Sequence, residues 1–387
     1  MTHDTDNLPT NDLLTQKDAF QWLCDVTVLP TAAGREDRVI AWIRDWVDAR
    51  DAFTMHADDA GNLIIEHRDA PTDITPVYFT AHMDHPAFVI EEVDGSNVRL
   101  SFRGGVRDPY FKDAHVSVHT DGGVVDVQLS EAGQPDPFRD CRGTVVDGDA
   151  AALKVGDVGT WKLKPQEIDG DLIRTIACDD LAALVAAIAA LEELHLRGEG
   201  RHVRILLTRA EEVGFIGAIA ACREKTMTEG ARVIALENSR SFADSPIGGG
   251  PIVRVGDRIS TFSPSLTGAV AKVADQLHKA MEKDGGAFEW QRKLMPGGAC
   301  EATVFQTFGY EATCVCLPLG NYHNMGNLEE VLDGDDDAAH IGREFISVRD
   351  FNGLVRLLTA VGVSLGDVEP VRTRLDNLWE KTKFVLE

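Results

Sequence analysis

Apolar residues recur at helical spacing in Ala19–Leu29 and again in Val39–Val47, with Pro30 and Gly34 between them, so the chain is expected to open with two helices. Short runs of a different kind follow. Val77-Tyr78-Phe79-Thr80-Ala81, Val203-Arg204-Ile205-Leu206-Leu207 and Val233-Ile234-Ala235-Leu236 are brief and rich in β-branched residues, and they predict buried strands. Ahead of the second strand, Leu181, Leu184, Val185, Ile188 and Leu191 mark one face of a longer helix, and Gly214–Cys222 forms a small-residue helical pattern before the third. Strands alternating with helices predict an α/β fold, a mostly parallel sheet flanked by helices on both faces.

One stretch breaks this rhythm. From Val98 to Ile173 the chain is rich in Gly, Asp and short β-branched runs and has almost no helical periodicity. It predicts a small all-β, barrel-like domain over residues 98–173, inserted into an α/β catalytic domain made of residues 1–97 and 174–387. Beyond the insert the alternation resumes and ends in an amphipathic helix over His340–Val363. A charged tail of helical character follows Leu365, with Leu375, Leu378 and Trp379 as its apolar anchors.

Composition narrows the classes. Of 387 residues, 44% are apolar and 26% charged, the balance of an ordinary globular protein. With 63 acidic against 38 basic residues the net charge is −25, which repels nucleic acid and anionic membranes and excludes them as partners. Met1–Thr15 has neither a basic start nor an apolar run, and Leu181–Leu191 is too short to span a bilayer. Seven cysteines without a C-x-x-C pair read as reduced thiols, so a cytoplasmic protein is expected.

Candidate chemistry sits where the elements end. His82-Met83-Asp84 directly follows the first strand, at the carboxyl end where open α/β sheets bind ligands. A histidine there can ligate a metal through one ring nitrogen while a carboxylate orients the ring through the other. Asp179-Asp180 precedes the helix from Leu181, which suits an N-cap and equally suits a carboxylate shared by two cations. Glu211-Glu212 follows the second strand, and two adjacent acids are costly unless a cation or a proton separates them. Glu237 ends the third strand, and His323 follows the apolar run Ala312–Pro318 across the loop Leu319–Tyr322. Two cations about 3.5–4 Å apart with a bridging water need such an inventory, namely His82, Asp179, Glu212, Glu237 and His323. Glu211 is then free to take the proton of that water as general base and pass it to a leaving amine.

The order H-x-D, D-D, E-E, acid, H resembles the co-catalytic zinc aminopeptidases of peptidase clan MH. His82 and Asp179 are 97 residues apart and Glu237 and His323 only 86, which puts the extra domain in the first gap. That arrangement is similar to the deblocking and glutamyl aminopeptidases that form tetrahedral dodecamers, once misannotated as cellulases. Pro30-Thr31-Ala32-Ala33-Gly34-Arg35-Glu36, Val155-Gly156-Asp157, Gly249-Gly250-Pro251 and Gly297-Gly298 match as well, and the resemblance spans residues 15–363. It implies one metal held by His82 and Glu237, a second held by Glu212 and His323, Asp179 bridging, and Asp84 supporting His82. It also implies zinc, with cobalt or manganese as substitutes, peptide substrates, and a homo-oligomer between dimer and dodecamer. The chain departs from the family at His85-Pro86-Ala87, where Glu-Val-Gly is usual, at Leu181 in place of Arg, at Glu237 in place of Asp, and at Gly297-Gly298-Ala299-Cys300.

Two other readings remain open at this point, a di-metal deacylase or amidohydrolase acting on non-peptide amides, and a metal-bound scaffold of little activity. Asp333-Gly334-Asp335-Asp336-Asp337 lacks the ligand spacing of a calcium loop. Ser239 and Ser241 lack the G-x-S-x-G context of a serine hydrolase.

Overall fold

The protein is described here by a computed structural model covering residues 8–95, 97–130, 141–147, 149–367 and 371–386. Residues 131–140 and 148 of the expected insert lie outside the described residues. The chain opens with helices α1 (Gln16–Val26) and α2 (Asp37–Asp48), then strands β1 (Phe53–Ala57), β2 (Leu63–His67) and β3 (Val77–His82). Six strands follow in succession: β4 (Ala87–Asp94), β5 (Asn97–Arg103), β6 (His115–Thr120), β7 (Gly123–Leu129), β8 (Cys141–Asp147) and β9 (Val158–Trp161). After β10 (Gln166–Asp169) and β11 (Leu172–Thr175) come α3 (Leu181–Arg197), β12 (Val203–Thr208), α4 (Ile216–Glu224), β13 (Arg232–Arg240) and β14 (Ile252–Arg254). The remainder runs α5 (Pro264–Lys283), β15 (Gln291–Lys293), α6 (Glu301–Thr307), β16 (Glu311–Leu319), β17 (Met325–Gly326), α7 (Leu328–Leu332), β18 (His340–Ile341), β19 (Glu344–Ser347), α8 (Val348–Ser364) and α9 (Val371–Thr382).

Eight strands form the main sheet in the order β1-β2-β12-β3-β13-β16-β14-β15. Its centre, β12-β3-β13-β16, is parallel, while β2 and β14 join it antiparallel. All six residues of β3 are buried, as expected of a strand covered on both faces, and this is why its sequence is a continuous apolar run rather than an alternating one. The Ala-rich helix α3 packs against β3, β12 and α8 with nearly its whole surface buried, and Gly198 ends it in a left-handed conformation at φ 71. Each fully buried Leu, Ile or Val in this layer contributes about 1.5–3 kcal/mol relative to leaving it exposed.

The six strands β4-β5-β8-β7-β6-β9 close into a barrel. Phe88, Phe102, Phe111 and Trp161 fill its interior, with Phe88 edge-on to Phe102 and to Trp161 at ring separations of 4.8 Å. The barrel therefore begins at Ala87 and ends at Trp161, not at 98 and 173. Ala87–Ile90 falls within the residues 1–97 expected in the body, but it pairs with β5 and β9. Ile173 belongs instead to a three-stranded sheet, β10-β11-β19, that ties the chain back to the body. The final helix is also shorter than expected. His340–Ile341 and Glu344–Ser347, predicted as helix, are strands, and α8 starts at Val348 where the Ser347 hydroxyl accepts from the Asp350 N–H. Among the described residues no helix is long and apolar enough to cross a membrane. Cys24, Cys178, Cys222, Cys300, Cys314 and Cys316 are free thiols.

Candidate active site

The parallel centre of the sheet brings distant segments to one edge. His82 closes β3, and Asp84 just beyond it reaches across to the segment after β12, where its two carboxylate oxygens accept from the N–H groups of Glu211 (3.0 Å) and Glu212 (3.1 Å). A second buried acid, Glu36, completes that turn. Its Oε1 accepts from Ala210 N–H at 3.1 Å and from Gly34 N–H at 2.7 Å, while Oε2 pairs with Arg209. Ala210 has φ 53, a left-handed conformation that costs an alanine about 1–2 kcal/mol, so the turn that aims Glu211 and Glu212 is held by two carboxylates. Neither the role of Glu36 nor its contact with residue 210 follows from sequence, because they meet only through the fold.

Asp179 sits just before α3, in the peptide joined cis to Asp180, and both are buried. Glu237 is not at a strand end as expected. It lies inside β13, paired with Cys316, because the strand continues through Asn238, Ser239 and Arg240. His323 follows β16 with φ 55, and its Nδ1 donates to the carbonyl oxygen of Gly105 at 2.7 Å. Gly105 lies on the connection that leaves β5 of the barrel, so the inserted domain fixes which ring nitrogen of His323 faces the body. That nitrogen, Nε2, stands 3.6 Å from Asp179 Oδ2 and 3.4 Å from Glu212 Oε1.

On the other side, His82 Nδ1 lies 3.0 Å from the Asp84 carbonyl oxygen and 3.5 Å from Asp84 Oδ1, and its Nε2 is 3.6 Å from Asp179 Oδ1 and 3.9 Å from Glu211 Oε2. Potential ligand atoms thus converge in three sets among the described residues, His82–Asp179–Glu237, Asp179–Glu212–His323 and His82–Glu211–Glu212, each with its atoms within 4.8 Å of one another, and Asp179 is common to the first two. The six residues singled out around a water and two cations are gathered in one place, with Asp84 behind them.

These residues fit a pair of cations. Two donors about 2.0–2.1 Å from one tetrahedral ion stand about 3.4 Å apart, near the separations found here and longer than good hydrogen bonds. Asp179 Oδ1, Glu212 Oε1 and Glu237 Oε1 are buried without a hydrogen-bond donor. The electrostatics agree. Burial, with Glu211 and Asp179 nearby, pushes the Glu237 carboxyl well above its ordinary range. Burial also raises Glu211 well above its ordinary range against the pull of His82, with the acids Glu212 and Glu301 adding to the rise. Burial takes Glu301 itself up to about 7. For His82 and His323 burial works against the charged form, but the surrounding carboxylates win and both are raised well above the usual histidine value. Asp179 is lowered: burial opposes its charge, and the two histidine rings beside it, His323 and His82, overcome that. A buried cluster with this excess of acid is short of positive charge.

A cavity of about 440 Å³ opens beside Glu237, walled by Val106, Phe242, Met295, Tyr322, Met325 and Leu328.

Comparison with known proteins gives the fold and the family. By structure the chain is similar to the TET1 peptidase of Pyrococcus horikoshii, described as assembling into a tetrahedron or a large octahedral shell, at 23% identity and a TM-score of 0.69, covering 90% of this chain and 100% of that one. It is similar to an aminopeptidase from the archaeon Desulfurococcus kamchatkensis at 19% identity and a TM-score of 0.68, covering 89% and 94%. A TET aminopeptidase from a marine sediment archaeon of the Thaumarchaeota gives 17% identity and a TM-score of 0.71, covering 90% and 97%. These likenesses establish the fold. No curated protein matches the chain. The profile of the M42 glutamyl aminopeptidase family matches residues 61–338, well over half of the sequence, and the chain therefore belongs to the M42 family of metal-dependent aminopeptidases.

Proposed function

We propose that the protein removes the N-terminal residue of short peptides at a centre of two divalent cations, zinc in the first instance. His82 and Glu237 would hold one cation and Glu212 and His323 the other, with the Asp179 carboxylate contributing to both. The observation that carries this reading is that, of the three convergent donor sets, the two that contain Asp179, His82–Asp179–Glu237 and Asp179–Glu212–His323, have only that residue in common, while the third, His82–Glu211–Glu212, places Glu211 between a donor of each. When bound, the cations would polarise the scissile carbonyl and lower the pKa of a water toward neutrality. Glu211 takes the proton of the attacking water and delivers it to the leaving amine, and its Oε2, 3.9 Å from His82 Nε2, lies beside the shared donors. Asp84 keeps the His82 ring in place and, through its bonds to the Glu211 and Glu212 N–H groups, keeps base and ligand in register. The cavity beside Glu237 receives the first side chain of the peptide.

A panel of aminoacyl-anilides, N-acetyl amino acids and blocked peptides tests the reaction class. Turnover of free-amine substrates, abolished by a strong chelator, is expected. Turnover confined to acylated compounds would point to a deacylase, and turnover that survives exhaustive chelation would remove the metal mechanism.

The chain works as a homo-oligomer in the cytoplasm. The assemblies described for the TET relatives support the first part, and the six free thiols agree with a reducing compartment. With a charge of −25 on every copy, subunits repel one another at low salt, so the assembly grows as ionic strength rises. Light scattering after size exclusion at low and high salt checks this, and a monomer under both conditions would contradict it.

A further inference from the structure

The peptide that carries Asp179 is gripped from both sides by two buried side chains outside the candidate ligand set. Glu344, at the start of β19, is fully buried and turns both carboxylate oxygens onto backbone N–H groups. Its Oε2 accepts from Cys178 at 2.6 Å and from Asp179 at 3.0 Å, and its Oε1 accepts from His323 at 2.7 Å. On the opposite side His85 Nδ1 donates to the carbonyl oxygen of Asp179 at 2.6 Å, and its Nε2 lies 3.2 Å from Asn324 Oδ1. Asn324 is itself tied down, its amide nitrogen donating to the carbonyls of Ile176 (2.8 Å) and Gly342 (3.2 Å).

One carboxylate thus joins the segment bearing Asp179 to the segment bearing His323, and one imidazole holds the Asp179 carbonyl while lying against Asn324, the residue after His323. Hydrogen bonds from backbone N–H to a buried carboxylate are among the stronger ones in a protein. They also offset the left-handed backbone of His323, at φ 55, and of Asn324, at φ 63, conformations that residues with a side chain adopt only at a cost.

We propose that Glu344 and His85 are positioning residues that set the distance between the Asp179 carboxylate and the His323 ring, and so decide how tightly the second cation is held. This rests on the metal reading above.

Glutamine at 344 keeps the shape but replaces one acceptor oxygen by an NH₂ group, which would face a backbone N–H and release one of the two segments. Asparagine at 85 can place an amide N–H where His85 Nδ1 now donates, whereas leucine cannot. The test is zinc binding to the full-length protein by calorimetry, together with the visible absorption spectrum of the cobalt-loaded form. Wild type should bind two ions per chain. Glu344→Gln and His85→Leu should bind one ion about 10- to 100-fold more weakly, the range typical of lost partners behind metal ligands, with a changed cobalt spectrum. His85→Asn should stay close to wild type in both readouts. Should Glu344→Gln fail to fold, the contrast between asparagine and leucine at 85 carries the test alone.

Folded Glu344→Gln and His85→Leu proteins that bind both ions with wild-type affinity and spectrum would overturn the positioning role and leave the metal reading standing. A wild-type protein that binds no zinc or cobalt would overturn both.

Discussion

The α/β body and the inserted barrel serve the site in different ways. Every side chain in the convergent donor sets comes from the body, where the parallel strands β3, β12 and β13, the turn before α3 and the residues after β16 bring them to one edge. The barrel supplies a backbone carbonyl, that of Gly105, and part of the cavity wall through Val106. The body thus carries the chemistry, and the barrel orients one histidine and shapes the entrance. Damage to the two regions should therefore have different signatures.

The largest effect is expected from Asp179→Ala in the body. The two donor sets that contain Asp179 lose their common member, so the protein should lose both ions and all measurable peptidase activity, which elemental analysis and an anilide assay on the same sample would show. Retention of two ions would mean that Asp179 is not shared. Glu211→Gln comes next: turnover should fall by about 10²- to 10⁴-fold with ion content unchanged, since the amide keeps the shape and loses the proton acceptor. In the barrel, Phe88→Ala should cost about 3–5 kcal/mol in denaturant unfolding, because Phe88 is fully buried against Phe102 and Trp161. The donors of the body should still take up metal in that variant, and a loss of metal equal to that of Asp179→Ala would erase the distinction between the regions.

The smallest effect concerns acid. Burial, helped by the Arg38 guanidinium and opposed by Asp126, takes His119 of the barrel down to about 4, so it stays neutral in the folded chain while an unfolded histidine, near 6.5, takes up a proton. Its contribution is complete above about pH 6.5 and is lost progressively as the pH falls through about 4. Melting curves between pH 7 and 4 should show this decline, and His119→Asn should flatten it.

How much of this could be read from the chain differs by level. The strands that carry His82 and precede Glu211 were legible, because a strand buried on both faces must be a short continuous apolar run. The five donors and Glu211 were legible as a set, since acids and histidines beside apolar strands have few inexpensive structural roles. What holds them was not. Glu344 lay in a stretch read as helix, although Glu344-Phe345-Ile346-Ser347 pairs with Leu172–Thr175 as a strand. Glu36 was noticed only as part of a matching run, and its bond to Ala210 spans 174 residues. Gly105 acts through its carbonyl oxygen, which no side-chain pattern reveals. Local periodicity reports which face is buried, whereas the bracing of a site depends on contacts between segments far apart in the chain. The barrel's limits were misplaced for a related reason, since Ala87–Ile90 is buried in either domain and its apolar pattern cannot tell which.

The central claim is that one carboxylate, that of Asp179, stands between two cations. Anomalous scattering from crystals of the zinc-loaded protein tests it most directly. Two peaks about 3.5–4 Å apart are expected, one beside His82 and Glu237 and one beside Glu212 and His323, with the Asp179 carboxylate between them. A single peak at full zinc loading, or two peaks that do not share Asp179, would contradict the account.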